Sequence, residues 1–96
     1  MYYVYLLKSE NSQTKYIGCT ENLKKRLKTH NSGKVKSTKN KIPLRLIYYE
    51  AFLNKYDAFS REKELKTEYT KKKHLIARLK NSLDLNDKKP NEELLK

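Results

Sequence analysis

Apolar and polar positions fall into short blocks along the chain, each with a readable period. Residues 2–8, Tyr-Tyr-Val-Tyr-Leu-Leu-Lys, are strand formers without a breaker; a polar stretch from Ser9 to Thr14 follows, and residues 15–19, Lys-Tyr-Ile-Gly-Cys, resume the same chemistry. Two strands joined as a hairpin are the economical reading. Side chains alternate across a strand, so Tyr3, Tyr5 and Leu7 share one face, Tyr16 and Gly18 share a face of the second strand, and Tyr5 and Tyr16 can converge. Leu23 and Leu27, four apart, place a helix over about residues 22–31, with Thr20 as its expected N-cap, Glu21 in the first turn and Gly33 where the exit wants φ > 0. Arg26 and His30 extend the stripe begun by the two leucines, so neither points simply into solvent. A third strand is expected over Leu44 to Phe52, with Leu44, Leu46 and Tyr48 alternating against Arg45, Ile47 and Tyr49.

A second helix opens at Asn54 or Asp57 and runs to about Thr67 or Tyr69. Its stripe of Ala58, Leu65 and Tyr69 leaves a gap at 62 that is filled by Glu62. A carboxylate there is costly to bury without a cation, an arginine or a metal in reach. The competing reading puts Glu62 at the edge of the stripe, extended toward water or paired with Arg61 or Lys66. Thr70 is placed to cap a third helix from Lys71 to about Leu79, with Leu75, Ile76 and Leu79 packing inward. Beyond it the chain turns polar and contains Pro90, which predicts a domain over residues 1–82 and a flexible tail over 83–96. The elements in this order describe an α+β fold: a small, three-stranded, mainly antiparallel sheet flanked by about three helices.

Length and charge narrow the partners. A chain of 96 residues holds one compact domain. Its formal charge of +12, from 23 Lys and Arg against 11 Asp and Glu, favours a polyanion, with nucleic acid leading. The excess is uneven: residues 34–48 carry five basic groups and no acids. That makes Lys34, Lys36, Lys39, Lys41 and Arg45 the best phosphate-contacting candidates, with Lys24, Lys25 and Lys28 of the first helix beside them. The lone Cys19 excludes an internal disulfide, and His30 and His74 lie too far apart for zinc-site spacing. The apolar start, Met1 to Leu7, is too short for a signal or membrane segment, so a cytoplasmic protein without membrane contact is expected.

Two strand tyrosines, an Arg and a His one helical turn apart and a stripe-embedded Glu form a set that resembles the GIY-YIG nuclease family. The first motif reads Tyr3-Val4-Tyr5 and the second Tyr16-Ile17-Gly18. Thr20, Asn22-Leu23, Arg26, His30-Asn31 and Gly33 look like the family's first helix and its exit. Leu46 to Glu50 looks like its third strand, and Ala58-Phe59-Ser60-Arg61-Glu62 with Leu65-Lys66 like its metal-binding helix. The match spans residues 2 to about 80 and is nearest the short stand-alone bacterial members. Tyr3 stands where the first motif has its naming glycine, and Cys19 where some members carry a lysine near the site.

The resemblance implies an endonuclease hydrolysing phosphodiester bonds, with DNA favoured over RNA, acting in repair, recombination or defence. It implies one divalent metal, Mg²⁺ or Mn²⁺, on Glu62, whose role would be to neutralise a phosphate oxygen and assist the leaving group. Arg26 would stabilise the phosphate in the transition state; Tyr5 and Tyr16 would hold or deprotonate the attacking water. His30 would accept a proton or orient a tyrosine, and is preferred as the base because tyrosine needs a depressed pKa. Glu50 is a weaker second carboxylate. The alternative is a basic nucleic-acid-binding module that keeps the scaffold and turns over slowly or never. A surface for an acidic protein partner would not require this residue set. Oligomeric state is not legible.

Overall fold

The computed structural model describes residues 1–87. Strand β1 (Tyr2–Ser9) lies between β2 (Lys15–Thr20) and β3 (Leu44–Phe52), antiparallel to both. Helix α1 (Leu23–Asn31) connects β2 to the long loop before β3; α2 (Lys55–Thr67), α3 (Tyr69–Arg78) and α4 (Lys80–Asp87) follow. The α+β architecture expected from the sequence is therefore present, with one helix more.

The central strand is apolar on both faces because both are covered. Val4, Leu6 and Ile17 pack with Ala58 and Leu65 from α2, Leu75 from α3, Leu79 at the junction of α3 and α4, and Leu83 from α4. Tyr5, Leu7 and Leu44 pack on the other face, with Tyr16, Leu46 and the α1 residues Leu23 and Leu27 against them. Each fully buried leucine contributes about 1.5–3 kcal/mol.

Three local expectations are corrected. The N-cap of α1 is Asn22, whose side chain accepts from the Lys25 backbone N–H at 3.0 Å; Thr20 instead accepts from the Asn22 N–H, shaping the turn before the helix. In β3 the alternation breaks, since Leu7 pairs with Leu46 while Leu6 pairs with Tyr48. Ile47 is the extra residue of a bulge, so Tyr48 joins the α2 face and Tyr49 returns to the α1 face. Tyr69 is 77% exposed and does not extend the α2 stripe: α2 ends at Thr67, and α3 begins at Tyr69 itself, with Glu68 rather than Thr70 at its N-cap. Leu83 is buried at 8% in the same cluster as Leu79, one helical turn earlier. Residues 88–96 of the expected tail lie outside the described residues. Gly33 takes its expected place, at φ 78° just beyond α1.

Candidate active site

Tyr5 lies at the middle of the central strand, directly across from Gly18 on β2. A Cβ at position 18 would run into the Tyr5 ring and hydroxyl. The glycine of the second motif is thus the floor on which the first motif's tyrosine rests. Tyr16 lies two residues back on the same face, its ring centroid 6.3 Å from that of Tyr5.

Helix α1 supplies the next two groups. With Asn22 fixing its start, Arg26 and His30 fall four apart and both reach Tyr5: Arg26 Nε donates to the Tyr5 hydroxyl at 3.4 Å, and that hydroxyl meets His30 Nε2 at 2.9 Å. His30 is completely buried, with Nδ1 2.8 Å from the Thr38 hydroxyl and its ring edge-on to Tyr16 at 5.0 Å. Proton positions follow from donor bookkeeping. Arginine can only donate, so the Tyr5 oxygen accepts from it; with the imidazole neutral, we assign the Tyr5 hydrogen to Nε2 and the Nδ1 hydrogen to Thr38. Burial, and then the charge of Arg26, lower the His30 pKa below its ordinary value of 6.5. Burial likewise raises the Tyr5 pKa, only partly offset by the Arg26 hydrogen bond. The Arg26 pKa is raised, first by the hydrogen bond to Tyr5 and further by Tyr16, against the lowering effect of burial.

Glu62, on α2, sits at the rim. Its charge contributes to raising the Tyr5 pKa, and it contributes after burial to raising that of Cys19. Its carboxylate oxygen is 3.1 Å from Lys66 Nζ, one helical turn on, and the same ammonium lies 5.6 Å from the Tyr16 ring centroid. The partner at the stripe's edge is therefore Lys66. Arg61 is engaged elsewhere: its Nε lies 3.0 and 3.1 Å from the two oxygens of Glu50, and its Nη1 bonds Glu64 at 2.6 Å. Glu50 pairs across from Val4, on the sheet face opposite Tyr5, and is no second site carboxylate. Burial foremost, with Glu50 beside it, pushes the neighbouring Tyr48 hydroxyl up to about 12.

Tyr5, Tyr16, Arg26 and His30 thus form one cluster with Glu62 at its edge. His74 lies apart, lining a cleft with Tyr48, Arg61 and Arg78. Of the basic candidates, Lys24, Lys25, Lys28, Lys34, Lys36 and Lys39 are exposed and Lys41 is half-buried. Arg45 is 3.6 Å from Glu10, a solvent-facing pair that lessens its claim on phosphate. The lysine-rich segment forms neither helix nor strand but is pinned to the cluster, because Thr38 is buried against His30. Asn31 clamps its far end: its amide donates to Leu44 O at 2.9 Å and accepts from Leu44 N at 2.7 Å. Thr38 escaped sequence reasoning because a lone threonine among lysines carries no pattern. Asn31 was visible only as the residue after His30. Among the described residues no group of three or more His, Cys, Asp or Glu could hold a metal. A cation here would rest on Glu62 alone, which suits a hard ion completed by substrate oxygens and water, and Lys66 already places positive charge at that carboxylate.

A three-stranded antiparallel sheet flanked, among the described residues, by four helices, with a tyrosine pair, a helix-borne Arg and His and a glutamate from the second helix near one another, defines a small α+β domain. The GIY-YIG catalytic domain matches residues 1–75, and the chain belongs to that family, whose members are typically nucleases acting on nucleic acid. It is 46% identical over 67 residues to a UPF0213 protein of Clostridium perfringens, covering 69% of this chain and 71% of that one. A UPF0213 protein of Bacillus pumilus is 44% identical over 75 residues, covering 77% and 76%. Among solved structures, the solution NMR structure of a UPF0213 protein from Bacillus halodurans matches with a TM-score of 0.53 at 35% identity, over 90% of this chain and 93% of that one. No described helix is long and apolar enough to cross a membrane.

Proposed function

We propose that this protein is a divalent-metal-dependent endonuclease that hydrolyses phosphodiester bonds in DNA, selecting its substrate by structure. The observation that carries the reading is the hydrogen-bonded line Arg26, Tyr5, His30, Thr38, with Glu62 near enough for its charge to act on Tyr5. Both His30 nitrogens are committed, so His30 does not meet the attacking water itself. The Tyr5 oxygen, which accepts once and donates once, retains a lone pair for a water hydrogen. We therefore revise the choice of His30 as direct base. Tyr5 takes the proton from water while passing its own to His30 Nε2, which burial and Arg26 keep neutral and so open to a proton; both also weaken it as a base, and the bound phosphate's negative charge offsets that of Arg26 during the transfer. Arg26 offers its remaining N–H donors to the phosphate oxygens, and Tyr16 borders the attacking water. A Mg²⁺ or Mn²⁺ ion held by Glu62 would neutralise phosphate charge and help the departing oxygen leave. The exposed lysines of α1 and the 34–41 segment hold the backbone.

The test is cutting of single-stranded, duplex, nicked, flapped and branched DNA with Mg²⁺ or Mn²⁺, with Glu62→Ala alongside. Metal-dependent cutting that falls on the order of a hundredfold or more in the variant is expected; undiminished cutting would remove Glu62 from the mechanism. One observation favours the non-catalytic binding module, namely that Lys66 already satisfies Glu62. That reading gains if no substrate is cut while salt-sensitive binding persists in both proteins.

A further inference from the structure

Tyr3 and Tyr49 take no part in the cluster above, yet both lie on its face of the sheet. Tyr49 is the β3 partner of Tyr5, Tyr3 precedes Tyr5 by two on β1, and their rings meet edge-to-face with centroids 5.7 Å apart. Helix α1 covers only the half of this face that carries Leu7, Leu44 and Leu46. Beyond Tyr5 the surface is open. Tyr49 is 51% exposed, and Ala51, which pairs with Tyr3, is exposed too. On its other side Tyr3 pairs with Thr20, which lines a cleft of about 300 Å³ with Lys25 and Arg26. An aromatic floor therefore adjoins a cleft that carries Lys25 and Arg26 against the single carboxylate of Glu21, with Tyr5 touching both floor and cleft: it pairs with Tyr49 and bonds Arg26.

We infer that Tyr3 and Tyr49 form a base-stacking subsite for an unpaired nucleotide flanking the phosphate held at Arg26. The inference rests on the nucleic-acid reading above and adds to it the state of the substrate. Cross-strand aromatic pairs also stabilise sheets, each by a fraction of a kcal/mol. Packing alone, however, does not account for a tyrosine left half in water beside a cleft lined by Lys25 and Arg26. Stacking on a tyrosine ring needs a base with a free face, so the nucleotide must be single-stranded or turned out of its helix. The subsite also gives a use to Tyr3, the departure from glycine in the first motif.

The chain contains no tryptophan, so Tyr49→Trp introduces a single indole on this floor. Titration with oligothymidylate, without metal so that nothing is cut, should quench its emission. The double variant Tyr3→Ala/Tyr49→Ala should bind the oligonucleotide about tenfold to a hundredfold more weakly than the unaltered protein. The slope of log affinity against log salt should not change, since Arg26 and the lysines still neutralise the same phosphates. Blunt duplex DNA should lose much less. An unquenched indole, a double variant that binds like the unaltered protein, or no binding of oligothymidylate would overturn the inference. The tryptophan variant keeps the test alive if the alanine pair unfolds. Because no cleavage is read, a protein that binds and stacks but never cuts refutes the endonuclease while leaving the subsite standing.

Discussion

Tyr5 does three things at once: it fills the core of the α1 face, accepts from Arg26 and donates to His30. Its partner His30 has its pKa lowered from 6.5, so it stays neutral in the folded chain at a pH where the unfolded chain would begin to protonate it. The unfolded state then binds more protons, and stability is lost as pH falls through and below the ordinary value of 6.5. We expect thermal melts to show this decline and His30→Gln to flatten it; an unchanged slope in the variant would place the titration elsewhere. Gly18→Ala should be severe for its size, because the new methyl displaces the Tyr5 ring. A cost of about 1–3 kcal/mol is expected from overpacking, with the loss of cutting exceeding what unfolding explains. Denaturant titration read beside the cleavage rate would separate the two.

Among the elements, α4 shows where the sequence was hard to read. Leu79 and Leu83 continue a helical spacing, but α4 itself holds only Leu83 and Leu85 among polar residues, and two leucines two apart give no helical period. If α4 is part of the core, Leu83→Ala costs about 2–5 kcal/mol in denaturant unfolding; a cost under about 0.5 kcal/mol would mean that α4 is only loosely docked. The hairpin, α1 and the β3 segment were legible because apolar period and turn residues agree there. The β3 bulge was not, since an extra residue in a run of β-formers leaves no mark on composition. Site residues followed the same division. Tyr5, Tyr16, Arg26 and His30 stood out because strand and helix periods point them inward together, whereas Thr38 and Asn31 work through distant partners, namely His30 and the β3 backbone at Leu44. Glu62 was conspicuous as a break in an apolar stripe, and its pairing with Lys66 was among the alternatives that the sequence left open.

For the molecule as a whole, the charge of +12 and the exposed lysines around α1 and the following loop mark the surface that we propose holds nucleic acid by its phosphates. Replacing Lys34, Lys36 and Lys39 by Ala should lower the salt slope of duplex binding by about 0.9 for each phosphate that these lysines neutralise. An unchanged slope would move the footprint off this loop. The central claim is chemical, however: that the buried line from Arg26 through Tyr5 to His30 handles the proton of an attacking water. Tyr5→Phe tests it most directly, because the ring still rests on Gly18 and only the hydroxyl is gone. Measured under single-turnover conditions with Mg²⁺ or Mn²⁺ on whichever DNA the protein cuts, the rate should fall by about 10²–10⁴-fold with DNA affinity little changed. A Tyr5→Phe protein that folds and cuts at the rate of the unaltered chain would contradict the account.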